Sequence, residues 1–102
     1  MANWYHTTFN TKDRDIVKVI KDNCTEFDYN ENDGLGCCNL AWGISSLDLD
    51  IIIDIVKKNK STFNIFAYDI YTNTKQSLIC EDGDIKVCES KQLDSSWQDI
   101  TV

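Results

Sequence analysis

Beyond simple charge, the side chains with reactive potential are five cysteines, Cys24, Cys37, Cys38, Cys80 and Cys88, and one histidine, His6. A thiolate nucleophile needs a neighbouring base, and a structural zinc site needs four Cys or His ligands, usually with a Cys-x-x-Cys spacing. That spacing does not occur. Cys37 and Cys38 are adjacent, so on a strand they point to opposite faces and cannot jointly grip one tetrahedral ion. An odd cysteine count argues against a disulfide framework, and the thiols read as small buried apolar residues of a reduced compartment. His6 could act as a base only if the fold set Cys37 or Cys38 beside it; otherwise it is structural.

The carboxylates do not form a recognisable site either. Asp50 and Asp54 stand at i and i+4 on the solvent side of one helix, far in sequence from a second acid or base. Asp28 to Gly34 starts like a calcium loop, but Gly34 falls seventh instead of sixth and Asn39 occupies the twelfth position that needs a bidentate Glu. Gly34-Leu35-Gly36 precedes a strand and not a helix N-terminus, so it is no phosphate cradle. We therefore assign no catalytic residue, no metal and no cofactor, and expect a protein that is not an enzyme.

What remains is surface charge. Glu26, Asp28, Glu31 and Asp33 cluster on one hairpin, and Glu81, Asp82 and Asp84 at a later turn. A net charge of −7 with a single arginine, Arg14, argues against binding to nucleic acid through phosphate neutralisation. A row of carboxylates can instead substitute for phosphates in the Arg- and Lys-lined groove of another protein. The expected partner is thus a protein with a basic nucleic-acid-binding surface, held by these acids and by Trp97 of the C-terminal segment. No apolar run reaches the roughly 18–20 residues that span a bilayer, and Met1 to His6 does not resemble a leader. We expect no membrane contact and a cytoplasmic location.

The elements that must position these groups can be read from periodicity. In Ser45 to Lys60, Leu49, Ile52, Ile53 and Val56 fall at i, i+3, i+4 and i+7, one stripe of a helix. Ser45 with Asp48 predicts its cap, and Lys57, Lys58 and Lys60 suit its C-terminal end. Ile16, Val17, Ile20 and Cys24 predict a first helix over Thr11 to Asn23, capped by Asn10 or Thr11, with Asn10 and Asp13 at capping-box spacing. Strands are expected at Ala2–Phe9, Thr25–Asn30, Leu35–Ile44 (Cys38, Leu40, Trp42 and Ile44 on one face), Phe63–Tyr71, Gln76–Cys80 and Asp84–Glu89. Asn32-Asp33-Gly34 and Asp82-Gly83 supply tight turns.

This order predicts an α+β fold: a ferredoxin-like β-α-β-β-α-β arrangement with a C-terminal β-hairpin extension. Both helices cover one face of an antiparallel sheet. Residues 1–90 form the domain and 91–102 a loosely packed tail. Phe63–Tyr71, apolar on both faces, belongs inside the sheet. The open sheet face is the natural place for a partner or a second copy.

Three stretches, Ala2-Asn3-Trp4, Ala41-Trp42-Gly43-Ile44-Ser45 and Phe63-x-x-Phe66-Ala67-Tyr68, resemble the YubB-type ferredoxin-like proteins of plasmids and phages. That resemblance implies a mobile-element setting and carries over no site residue. Together with size and charge it leads to the expected function, an anti-CRISPR-like inhibitor that occupies the basic surface of a host defence enzyme. The alternative expectation is a dimeric nucleotide-binding or sponge protein, stacking its ligand on Trp4, Tyr68 or Trp97.

Overall fold

A computed structural model describes residues 3–92. Eight aromatic, β-branched and polar residues without Gly or Pro form β1 (Trp4–Thr11), on which Tyr5, Thr7, Phe9 and Thr11 alternate inward and Trp4, His6, Thr8 and Asn10 outward. Because β1 pairs as far as Asn10 with Leu35 and Thr11 with Phe63, the first helix starts later than its periodicity suggests. Helix α1 spans Arg14–Asp22, and its N-cap is Asp13, not Asn10 or Thr11. The Asp13 carboxylate accepts from the Asp15 N–H at 3.0 Å. Ile16 and Ile20 are fully buried.

Strand β2 (Thr25–Tyr29) pairs with β3 (Leu35–Ala41) through a register shift at Glu26, whose φ is +52°. Phe27 and Tyr29 pack on the core, and both stack on Phe9, with centroids 6.0 and 5.9 Å apart. Gly36 makes this stack possible, since a Cβ there would lie 2.2 Å from the Phe9 ring.

The chain from β3 to the second helix departs from expectation. Strand β3 stops at Ala41, because Trp42 (φ +64°) and Gly43 (φ +74°) turn the backbone through the left-handed region. Trp42 is therefore 52% exposed and does not share the core face of Cys38 and Leu40. A 3₁₀ turn at Gly43–Ser46 precedes α2 (Leu49–Asn59). The Ile44 N–H donates to the Gln76 side chain. Ser45 does not cap: its hydroxyl donates to the Trp42 carbonyl, and Asp48 is the N-cap residue, with no side-chain bond. On α2, Ile52 and Val56 are buried as the stripe predicts. Their partly buried neighbours on the core are Leu49 and Ile55, while Ile53 lies outside the stripe.

Lys60, in a left-handed C-cap, leads to β4 (Phe63–Asp69), β5 (Thr74–Glu81) and β6 (Asp84–Gln92). Asp82 and Gly83, both at positive φ, close the last hairpin in the type I′ manner that suits twisted strands. The six strands form one antiparallel sheet in the order β2-β3-β1-β4-β5-β6, so β4 is interior. Ile16, Ile20, Ile52 and Val56 of the helices join Phe9, Leu40, Phe63, Ile65 and Leu78 of the strands in one core, an α+β architecture with a helical layer on one sheet face. Lys91 and Gln92 continue β6 past the expected boundary at residue 90. The rest of the tail, Trp97 included, lies outside the described residues.

Candidate functional site

The two acidic turns are distant in sequence, and the register brings them to one end of the sheet. Asn10 lies opposite Leu35, Thr11 opposite Phe63, and Phe63 opposite Cys80, so the β2–β3 and β5–β6 turns both sit where β1 ends and β4 begins. Each turn is tied down there. The Gly34 carbonyl accepts from the Thr11 N–H at 2.9 Å, and the Gly83 N–H donates to the Ser61 carbonyl at 3.1 Å.

The acids themselves are exposed and individually placed. Asp33 accepts from the Leu35 N–H at 3.0 Å, which fixes the first turn. Glu31 is 3.7 Å from Arg14, an exposed pair worth little. Asp28 lies opposite Cys37, and Glu26 accepts from Asn39 Nδ2 at 3.1 Å. The Asp82 N–H donates to the Thr62 hydroxyl at 3.3 Å. From Asp22 to Val56 the sequence holds eight carboxylates and no Lys or Arg. In space, cations from outside that run flank the first hairpin: Arg14 beside Glu31, Lys12 against Gly34 and Lys21 over the Phe27 ring.

Between the turns a hollow of about 460 Å³ is lined by Asn10, Thr11, Lys12, Asp13, Asn59, Ser61 and Thr62. Its defining group is Asp13, which only its capping-box spacing from Asn10 marks in the sequence. Burial alone raises the pKa of Asp13. Donation from the Ser61 hydroxyl, from Asn59 Nδ2 at 3.0 Å and from the backbone N–H groups of Asp15 and Ile16 outweighs that effect and holds the carboxyl below its ordinary range.

The reactive residues remain dispersed. Cys38 is 3% exposed, and burial first, then the neighbouring Cys24 and Cys37, pushes its thiol up to about 12. Burial likewise raises Cys24 and Cys80. Such thiols are poor nucleophiles. Cys37 is exposed on the open sheet face, where His6 also points; with Thr8 opposite Cys37 and Asn39 opposite His6, the two are diagonal neighbours. His6 Nδ1 meets Asn39 Oδ1 at 3.2 Å, and among the described residues no hydrogen bond joins His6 to Cys37. Nor do the described residues hold a group of three or more His, Cys, Asp or Glu arranged for a metal. Asp50 and Asp54 stand exposed on α2.

The open face is partly apolar. Leu35 and Phe66, 52% and 38% exposed, flank a shallow hollow of about 400 Å³ with Thr8, Asn10 and Asn64. Lys75 Nζ lies 5.9 Å from the Phe66 ring centroid. At the end away from the acidic turns, Trp4, Trp42, Ile70 and Tyr71 are exposed.

No known protein family, no curated protein and no solved structure matches the chain. Nor is any described helix long and apolar enough to cross a membrane. The geometry by itself offers two surfaces: a rigid acidic end and an open, mostly shallow sheet face.

Proposed function

We propose that this chain is a small acidic binding protein of a mobile element that inhibits a host nucleic-acid-handling defence enzyme, in the manner of an anti-CRISPR, by occupying its basic surface. The observation that carries this reading is the convergence of the two acidic turns at one anchored end of the sheet, with Glu31 and Asp33 in the first turn, Asp28 on the strand leading into it, and Glu26 farther back beside Asn39. Carboxylates on a rigid hairpin offer a basic groove the charge it expects of phosphates, without a bond to cleave and with little ordering entropy lost on binding. The strand order fits a ferredoxin-like split β-α-β unit extended by the β5–β6 hairpin, and the YubB-type resemblance fits the mobile-element setting.

The test is competition. Guide-loaded effectors bind a labelled target duplex in the presence of increasing protein, at low and at raised salt. Inhibition at low salt that fades as salt rises is expected. Replacing Glu26, Asp28, Glu31 and Asp33 together by Ser should weaken it at least about tenfold, or about 1.4 kcal/mol. No inhibition of any effector in the panel at low salt refutes the proposal.

The hollow beside Phe66 favours one second reading. Phe66 offers a stacking face, and Asn10 and Asn64 offer amides that could read a base edge, which suits the nucleotide-binding alternative. A rise in melting temperature with cyclic or linear nucleotides, lost in Phe66→Ala, distinguishes it.

A further inference from the structure

Strand β6 ends the sheet, with β5 on one side and no described strand on the other. Its outward N–H and C=O groups are a template for another strand. Neither Pro nor Gly interrupts its nine residues. The opposite edge differs: β2 has five residues and is broken by the positive φ of Glu26.

Charge along the β5–β6 ladder is arranged unfavourably for a chain alone. Lys75 lies directly opposite Lys91 at one end, and Glu81 directly opposite Asp84 at the other. All four are exposed. Like charges opposed across strands destabilise the pair. The ladder steps from Ile79–Val87 to Cys80–Ile85, skipping Lys86. That bulge keeps Asp84 and Lys91 on the same, open face of the sheet, although they stand an odd number of positions apart in the chain.

We propose that β6 pairs antiparallel with β6 of a second copy about a two-fold axis at Cys88. The axis is perpendicular to the sheet, so like faces meet and the two open faces become continuous. Cys88 then faces its own equivalent, Val87 faces Glu89 of the second copy, and beyond the skipped Lys86, Asp84 faces Lys91. The acidic rung of each copy meets the basic rung of the other. The two repulsions within each chain are offset by attractions between chains, a match that an antiparallel strand of this same sequence supplies. Both β2–β3 hairpins stay uncovered at the far edges of the joined sheet, whereas Asp84 of the second acidic turn is engaged, so the Lys91→Glu variant, which leaves every acid of the two turns in place, tests the pairing apart from the proposed function.

Sedimentation equilibrium of the full chain, from micromolar to sub-millimolar concentration, tests it. A single edge contact is smaller than a standard interface of about 1,600 Å², so the expected result is a reversible dimer that dissociates on dilution and weakens with salt. Lys91→Glu sets an acid against Asp84 of the second copy but against Lys75 within its own chain. It should sediment as a monomer while keeping or raising its melting temperature, which separates lost pairing from misfolding. Exchanging all four charges (Lys75→Glu, Glu81→Lys, Asp84→Lys, Lys91→Glu) should restore the dimer.

Directly opposed residues of antiparallel strands have Cα atoms about 4.5–5.5 Å apart, within disulfide range. In a Cys37→Ser background, diamide should take two electrons and two protons from the two Cys88 thiols and leave one intermolecular disulfide. Cys88→Ser should abolish it. A monomer at every concentration of the unaltered chain overturns the proposal, as does a dimer that Lys91→Glu leaves intact.

Discussion

Replacing Asp13 by Ala removes the group that joins the start of α1 to the end of α2. One carboxylate oxygen caps α1 through the Asp15 N–H, and the other accepts from Asn59 and from the Ser61 hydroxyl. Loss of an N-cap costs about 1 kcal/mol. A lost bond to the half-buried Ser61 adds roughly 0.5–1.5 kcal/mol, whereas exposed Asn59 exchanges its partner for water at little cost. The sum is about 2 kcal/mol, a fall of roughly 8–16 °C in melting temperature for a domain of this size. Asp13→Asn keeps a capping oxygen and should lose about half as much. The pH dependence follows from the depressed carboxyl. Its stabilisation is fully present above the unfolded-state pKa of about 3.9 and is lost as pH falls through the lower folded-state value. Asp13→Asn should therefore flatten the acid limb of stability against pH. Thermal unfolding followed by circular dichroism, near neutral pH and down the acid limb, measures both effects. An Asp13→Ala protein as stable as the parent at neutral pH, or an acid limb unchanged in Asp13→Asn, refutes the reasoning.

Gly36→Ala places a methyl group on the Phe9 ring, and should cost about 1–3 kcal/mol by overpacking. If the clash is the cause, a double-mutant cycle by denaturant unfolding will show a smaller cost in a Phe9→Leu background. Among the cysteines, exposed Cys37 and Cys88 should react with a thiol reagent in the native protein, while Cys38 and Cys80 react only on unfolding. Mass mapping of labelled peptides checks this, and early labelling of Cys38 would contradict its burial.

Periodicity carried most of the fold. The alternation in Trp4 to Thr11 and the apolar stripes of Ile16 and Ile20 and of Ile52 and Val56 name the buried faces, because burial of one face is what selects the pattern. Element ends were less legible. Asn10 and Thr11 have the chemistry of caps, yet both stand in the sheet, opposite Leu35 and Phe63, and the Thr11 N–H is donated to the Gly34 carbonyl, which moves the cap to Asp13. Ser45 has the chemistry of a cap too, but the left-handed turn at Trp42 and Gly43 precedes it and its hydroxyl closes that turn. Local propensity cannot weigh such ladder bonds, since their partners lie more than twenty residues away.

The acidic surface was legible as residues and not as a shape. Glu26 to Asp33 and Glu81 to Asp84 announce themselves by composition, but the meeting of their two turns at one end depends on β1 running antiparallel to both β3 and β4, which leaves Glu26 back along the sheet. Asn39, which bridges Glu26 and His6 across three strands, carries no sequence signal at all. The rungs Lys75–Lys91 and Glu81–Asp84 were hidden for a sharper reason: a single skipped residue, Lys86, decides which charges share a face. Without that bulge Asp84 would sit on the helix side and Lys91 on the open side, and no antiparallel copy could match acid to base. Register, shifted by one residue between Ile79 and Cys80, therefore determines the electrostatics of the β6 edge more than charge composition does.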